Sequence, residues 1–161
     1  MQNARRISMS KVKPPIRLRK ANQEDVGFIF NAWLKSYKYS LFAKNVTNTV
    51  YFAEHHKVIE RLLKNFETII ACNDEDPSQI YGFINAGRID GIFCVNYIYV
   101  KQAFRNLGIG KALLNAFEHD ASSASVHTHH TRMSEKLAAK YNFVYHPYLL
   151  INSESSNESK E

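Results

Sequence analysis

The hydrophobic positions of this chain change period several times, and each change marks an element. Ile16-Arg17-Leu18-Arg19 alternates apolar and basic residues, as a half-exposed strand does. Asn22 follows as a helix N-cap. Glu24 and Asp25 occupy the first turn, where the helix dipole favours acids. Val26, Ile29, Phe30, Trp33, Leu34 and Tyr37 then recur at helical spacing, and so do Val58, Ile59, Leu62, Leu63 and Phe66. Residues 68–72 and 79–84 read as two strands joined by a polar turn with Pro77. Residues 92–100 form an apolar, aromatic run. A turn rich in glycine and basic residues follows, and an amphipathic helix starts at once. Residues 124–130 (ASVHTHH) alternate again, which places His127 and His129 on one face of a strand. Thr131 can cap a last helix, and Asn142 tolerates the positive φ that ends one.

These elements describe one α/β domain over residues 16–151, large enough for its own core. The ends differ in composition. Residues 1–13 hold Arg5, Arg6, Lys11 and Lys13 with no acid, and Pro14-Pro15 follow; residues 1–15 are expected to be a disordered basic arm. Residues 152–161 are Ser, Asn, Glu and Lys, and are expected to be a disordered tail. Of the formal charge of +6, the arm supplies +4 and the tail −2. The remaining mild basicity suits a small polyanionic ligand and does not require nucleic acid. No run reaches the ~18 apolar residues of a membrane span, and the N-terminus lacks the apolar core of a signal peptide. Cys72 and Cys94 lie in strands among apolar neighbours and read as buried free thiols, which points to a cytoplasmic location.

The chemistry concentrates in residues 100–114, VKQAFRNLGIGKALL. A strand, a glycine turn and a helix N-terminus together aim backbone amides at an anion. Gly108 and Gly110 permit close approach, and Arg105 and Lys111 add positive charge. Neither a dinucleotide-binding GxGxxG nor a Walker loop fits, because Leu113, Arg105 and Ala112 occupy required positions. Arg105-Asn106-Leu107-Gly108-Ile109-Gly110 instead resembles the Arg/Gln-x-x-Gly-x-Gly/Ala pyrophosphate loop of the GNAT superfamily, the acyl-CoA-dependent N-acetyltransferases. The opening Ile16-Arg17-Leu18-Arg19-Lys20-Ala21 and the Gly82-Phe83 pair in a strand are similar to that family too.

The resemblance implies a mixed central sheet, splayed at the acyl-CoA site and flanked by about four helices. It implies acetyl-CoA as cosubstrate, held by Arg105, Leu107, Gly108, Ile109, Gly110 and Lys111. The Ile98 amide would then polarise the thioester and Val100 would contact the pantetheine arm. The acceptor would be an amine, attacking directly in a ternary complex. The linker at Tyr39, Phe42 and Lys44, with Tyr51, His55 and His56 beyond it, would form one acceptor wall. A homodimer is compatible with the family. Two departures matter. Ala138 stands where many members carry a tyrosine that protonates the leaving thiolate, and the central strand has no carboxylate to supply a base. His127, His129 and Tyr141 are the replacements this reading puts forward, with His130, Tyr145 and Tyr97 as further options. No metal site is expected, since no third ligand stands at a known spacing. A catalytically silent CoA-binding or protein-interaction module of the same fold, and an acyltransferase acting on nucleic acid, are the alternatives.

Overall fold

The computed structural model describes residues 14–120 and 122–151. Residues 1–13 of the basic arm and the tail 152–161 lie outside these residues, whereas Pro14 and Pro15 are described. Six strands form one sheet in the order β1-β2-β3-β4-β5-β6. They are β1 (Ile16–Lys20), β2 (Glu67–Asn73), β3 (Ile80–Ile89), β4 (Ile92–Val100), β5 (Ser125–His127) and β6 (Phe143–Tyr145). Strands β1 to β4 pair antiparallel, while β4–β5 and β5–β6 are parallel. The helices are α1 (Val26–Lys38), α2 (Asn48–Asn65), α3 (Ile109–Asn115) and α4 (Arg132–Tyr141).

Each face of the sheet has its own core. Trp33, Tyr37, Tyr51, Ile59 and Leu62 from α1 and α2 pack on Ile70, Phe83 and Tyr97. On the other face Ile109, Leu113 and Leu114 of α3 pack on Ala71, Ile84, Val95 and Ile98. Leu137 and Ala138 of α4 join this second cluster, half-buried. Alternation along the strands is what sends Ile70 to one face and Ala71 to the other.

Local chemistry matches the pattern at the helix ends. Asn22 accepts from the Glu24 N–H at 2.9 Å, and the Asp25 carboxylate accepts from the Asn22 N–H at 2.8 Å. Arg19 grips Asp25 from β1 at 2.6 and 2.9 Å, which holds that carboxyl below its ordinary pKa. Thr131 and Ser134 form the same reciprocal cap at α4, and Asn142 ends that helix at φ 56°. Gly82 in β3 is needed for a close approach: a Cβ there would sit 2.3 Å from the Tyr99 carbonyl oxygen.

One expectation is corrected. Strand β5 ends at His127, three residues short of the alternating segment. The Thr128 N–H still donates to Val95 O at 3.2 Å, but the chain then leaves β4 to enter the α4 cap. His127 and His129 therefore do not share a face. The His127 ring lies against Phe143 and Tyr145, whereas the His129 ring lies among Trp33, Tyr37 and Tyr97.

Candidate functional site

A bulge in β4 creates the cleft. Asn85 pairs with Tyr97 and Ala86 with Val95, so Asn96 is the extra residue. The bulge shifts the strand's parity. Val95 and Ile98 both face the α3 side although they are separated by an odd step. Backbone direction changes with it. Val95 O accepts from Thr128 of the β5 side, while the Lys101 N–H donates to Tyr81 O of the β3 side at 2.8 Å. By alternation Tyr99 also faces β3, and the amides of Ile98 and Val100 turn toward the side where β5 would continue. Strand β5 does not continue there. Its register with β4 covers only Phe93, Cys94 and Val95. The sheet is therefore open from Asn96 to Val100. The cavity in the gap is bordered by Tyr97, Ile98, His127, His129, Ser134 and Leu137.

The bulge is held by a buried polar chain. The Asn85 amide donates to Leu62 O and Thr68 Oγ1, and the Asn96 amide donates to Asn85 Oδ1 at 2.8 Å. Asn96 Oδ1 accepts from Thr128 Oγ1 at 3.0 Å. That oxygen cannot donate, so the Thr128 hydroxyl spends its proton there and can only accept from His129 Nδ1, 3.0 Å away. His129 Nε2 then carries the lone pair, and His55 Nε2–H donates to it at 3.0 Å across 74 residues of sequence. Burial holds His55 down to about 4 and His129 well below the ordinary histidine value. Both rings are neutral at neutral pH.

His127 has a different role available. Its Nδ1 lies 2.9 Å from His129 O, which only accepts, so Nδ1 carries the hydrogen and Nε2 the lone pair. Burial, and secondarily the nearby His130, lower its pKa. His130 Nε2 meets the Glu135 carboxylate at 2.9 Å, and the His130 ring lies 5.9 Å from His127 and 5.1 Å from Tyr145.

Directly beyond β4 the chain turns through Gln102–Phe104 into the glycine loop. Arg105 Nε donates to Val100 O at 3.0 Å, which holds the loop to the end of β4. Asn106 and Gly108 adopt φ 64° and 80°. No side chain caps α3, so its first-turn amides have no intrahelical or side-chain acceptor. A Cβ built on Gly108 meets nothing within 4 Å, and one on Gly110 meets Ile98 Cδ1 at 3.8 Å. The uncapped helix end thus opens beside the same Ile98 that faces the cleft, and this arrangement fits a diphosphate with a slender thiol arm.

The other sequence candidates separate. His127 and His129 border the cleft, but Tyr141 packs on His119 and is not among the bordering residues. Tyr145, exposed, lies 5.3 Å from His127. The Tyr97 hydroxyl donates to Ser36 Oγ at 2.5 Å, because Ser36 spends its own proton on Ala32 O. Tyr97 is thereby turned into the core, and burial pushes its phenol up to about 12. Of the acceptor-wall residues, Tyr39 and Phe42 are exposed, Tyr51 and His55 are buried, and His56 stacks on Phe30. Cys72 and Cys94 are buried free thiols, and burial raises Cys94 to about 12. Among the described residues no three His, Cys, Asp or Glu side chains gather as a metal site. No helix among them is long and apolar enough to cross a membrane. The sequence pattern missed the His55–His129 pair and the Asn85–Asn96–Thr128 chain. Its one available signal was asparagine at two positions inside apolar strands.

A family model described as the GNAT acetyltransferase domain matches residues 64–145, half of the chain. The span runs from the end of α2 through β6 and includes the cleft and the glycine loop. Similar solved structures include a GNAT-family acetyltransferase from Staphylococcus aureus, at 22% identity and TM-score 0.45, covering 63% of this chain and 62% of that one. The chain therefore spans less than two thirds of that protein's length. A Pyrococcus furiosus acetyltransferase shares 20% identity at TM-score 0.49, over 87% of this chain and 91% of that one. The PaiA N-acetyltransferase of Thermoplasma acidophilum, solved with coenzyme A, shares 22% identity at TM-score 0.44, over 63% and 68%. No curated protein matches.

Proposed function

We propose that this chain, which belongs to the GNAT acetyltransferase family, transfers an acetyl group from acetyl-CoA to an amine by direct attack in a ternary complex. The observation that carries this reading is the continuity of two donor sets. The Ile98 and Val100 amides line the opened edge of β4, and the uncapped N-terminus of α3 follows directly, with Arg105 and Lys111 beside it. Acetyl-CoA supplies the activated acyl group. The loop from Arg105 to Lys111 is assigned to its pyrophosphate, and Val100 to the pantetheine amides. The Ile98 N–H is the donor for an acyl oxygen that gains charge during attack.

His127 is the proton acceptor in this scheme. Its tautomer presents a lone pair at Nε2, and burial keeps the ring neutral at neutral pH. The acceptor nitrogen forms the new C–N bond, the C–S bond breaks with its electron pair on sulfur, and the surplus nitrogen proton passes to His127. His129 is assigned a positioning role, because its Nδ1 and Nε2 are both engaged by Thr128 and His55. Its carbonyl oxygen fixes the His127 tautomer. Release of CoA thiol with acetyl-CoA and an amine panel tests the reading. His127→Gln is expected to lower kcat by about 10²-fold with acetyl-CoA affinity unchanged. Full activity in that variant would remove His127 from the chemistry.

A further inference from the structure

We propose that the cleft extends the range of acyl donors beyond acetyl-CoA to short, straight-chain, uncharged acyl-CoA of the butyryl class. The proposal rests on the acyl-transfer reading above. The first observation is where the cavity lies. That reading runs the donor down β4 from the α3 end, with Val100 on the pantetheine arm and Ile98 on the thioester oxygen. The cavity starts at Ile98, continues along β4 to Val95, and crosses to Phe143 on β6. Neither Val100 nor the loop from Arg105 to Lys111 borders it. The space therefore lies past the thioester, on the acyl side. The path from Ile98 to Val95 spans roughly 7–10 Å of strand, shortened by the bulge. An acetyl methyl reaches only ~1.5 Å past its carbonyl carbon and leaves most of that path unfilled.

The second observation is the chemistry of the lining. Val95, Ile98, Leu137 and Phe143 supply hydrocarbon from the sheet and from α4. The polar side chains of the border are turned to partners within the protein. Asn96 is spent on Asn85 and Thr128, and the Tyr97 hydroxyl on Ser36. Ser134 Oγ donates to Thr131 O at 2.8 Å and accepts from the Thr131 N–H at 2.6 Å. Thr131 Oγ1 in turn accepts from the Ser134 N–H. Among the described residues that border the cavity none is Lys or Arg. A carboxylated acyl group such as succinyl would be buried there without a counter-charge. Methylenes would displace water that these walls hold poorly.

The third observation sets the upper limit. Phe143, 9% exposed, closes the far end. Its ring is backed by Phe93 at 6.2 Å and by His119 at 5.2 Å, and it meets His127 at 6.4 Å. A wall packed in this way does not yield to a long chain.

Calorimetric titration of the full chain with CoA, acetyl-CoA, butyryl-CoA, succinyl-CoA and lauroyl-CoA tests the proposal without need of the acceptor. Two added methylenes, buried on apolar walls, are worth about 10-fold in affinity. Butyryl-CoA is therefore expected to bind about 10-fold tighter than acetyl-CoA, and succinyl-CoA and lauroyl-CoA to bind more weakly than butyryl-CoA. Leu137→Phe fills the cavity from α4. Leu137 is half-buried, so the larger ring can be accommodated toward solvent, and the butyryl-to-acetyl affinity ratio is expected to fall at least 5-fold. The wild-type ratio decides by itself if that variant does not fold. Butyryl-CoA binding no tighter than acetyl-CoA would overturn the proposal, as would tighter binding of succinyl-CoA or lauroyl-CoA, or an unchanged ratio in folded Leu137→Phe. Each of these outcomes leaves acetyl-CoA binding, and with it the transfer reading, in place. Absence of binding by CoA and by every acyl-CoA would overturn both.

Discussion

Acidification should weaken this fold through a pair of buried histidines, His55 and His129. His55 and His129 meet at 3.0 Å between α2 and the segment after β5, among Tyr37, Tyr51, Trp33 and Tyr97. Burial holds His55 at about 4, against ~6.5 for an unfolded histidine. Between these values the unfolded chain binds the proton and the folded chain does not. Stability is therefore complete above pH ~6.5 and declines as pH falls toward 4. At pH 4.5 about two units of that interval have been crossed, and at ~1.36 kcal/mol per unit His55 alone costs about 2.5 kcal/mol. His129, shifted in the same direction, adds to the loss. Asp25 does not confuse the window, because its pKa is lowered and its contribution disappears only below the ordinary carboxylate value. The expected fall in Tm between pH 7 and 4.5 is about 5–10 °C from His55. Urea unfolding at both pH values is the assay, with His55→Phe as comparison. That variant leaves His129 Nε2 without its donor and is less stable at pH 7 by about 1–3 kcal/mol. The decisive readout is thus the difference between the two pH values, which should shrink by about 2 kcal/mol in the variant. A wild-type loss under about 1 kcal/mol, or an equal loss in His55→Phe, would show that His55 is not a source of acid sensitivity.

Three further outcomes follow from the same geometry. Gly82→Ala places a Cβ 2.3 Å from the Tyr99 carbonyl oxygen; it should cost about 1–3 kcal/mol, and an unchanged urea midpoint would show that β3 and β4 can separate freely there. Asn96→Leu strands the Asn85 oxygen and the Thr128 hydroxyl; a loss of about 2–4 kcal/mol is expected, and a variant as stable as wild type would deny the polar chain its role in the bulge. The acid limb of kcat/KM should lie below the ordinary histidine value of ~6.5, because His127 must be neutral to accept a proton and its pKa is lowered; a limb above pH 7 would assign the base elsewhere.

Much of this architecture was legible because it is local. Helical spacing from Val26 to Tyr37, the Asn22 and Thr131 caps and the αL residue Asn142 all depend on neighbours a few positions away. The glycine loop was legible for the same reason: Gly108 needs its positive φ and α3 needs an uncapped start, and both are written within six residues. The histidines were misjudged because the alternation of ASVHTHH says nothing about where pairing stops. Strand β5 stops when the chain must reach the α4 cap, and that turns His129 to the opposite face. The link between His55 and His129 has no sequence signature, since it joins a helix to a strand end through tertiary packing. Asn96 was the missed clue. A buried amide within the apolar strand IFCVNYIYV calls for partners, and satisfying them produces the bulge that opens the site.

Whether acetyl-CoA binds at the start of α3 is measured by calorimetric titration of acetyl-CoA into wild type and Lys111→Glu. Lys111 is exposed in the first turn of α3. Glutamate there complements the helix dipole and should leave the fold intact or stabilise it by about 0.3–1 kcal/mol. The same charge faces the proposed pyrophosphate position and should weaken binding. The predicted result is saturable binding to wild type and at least 10-fold weaker binding to Lys111→Glu at equal or higher Tm. No binding to wild type, or equal affinity in the two proteins, would contradict the assignment.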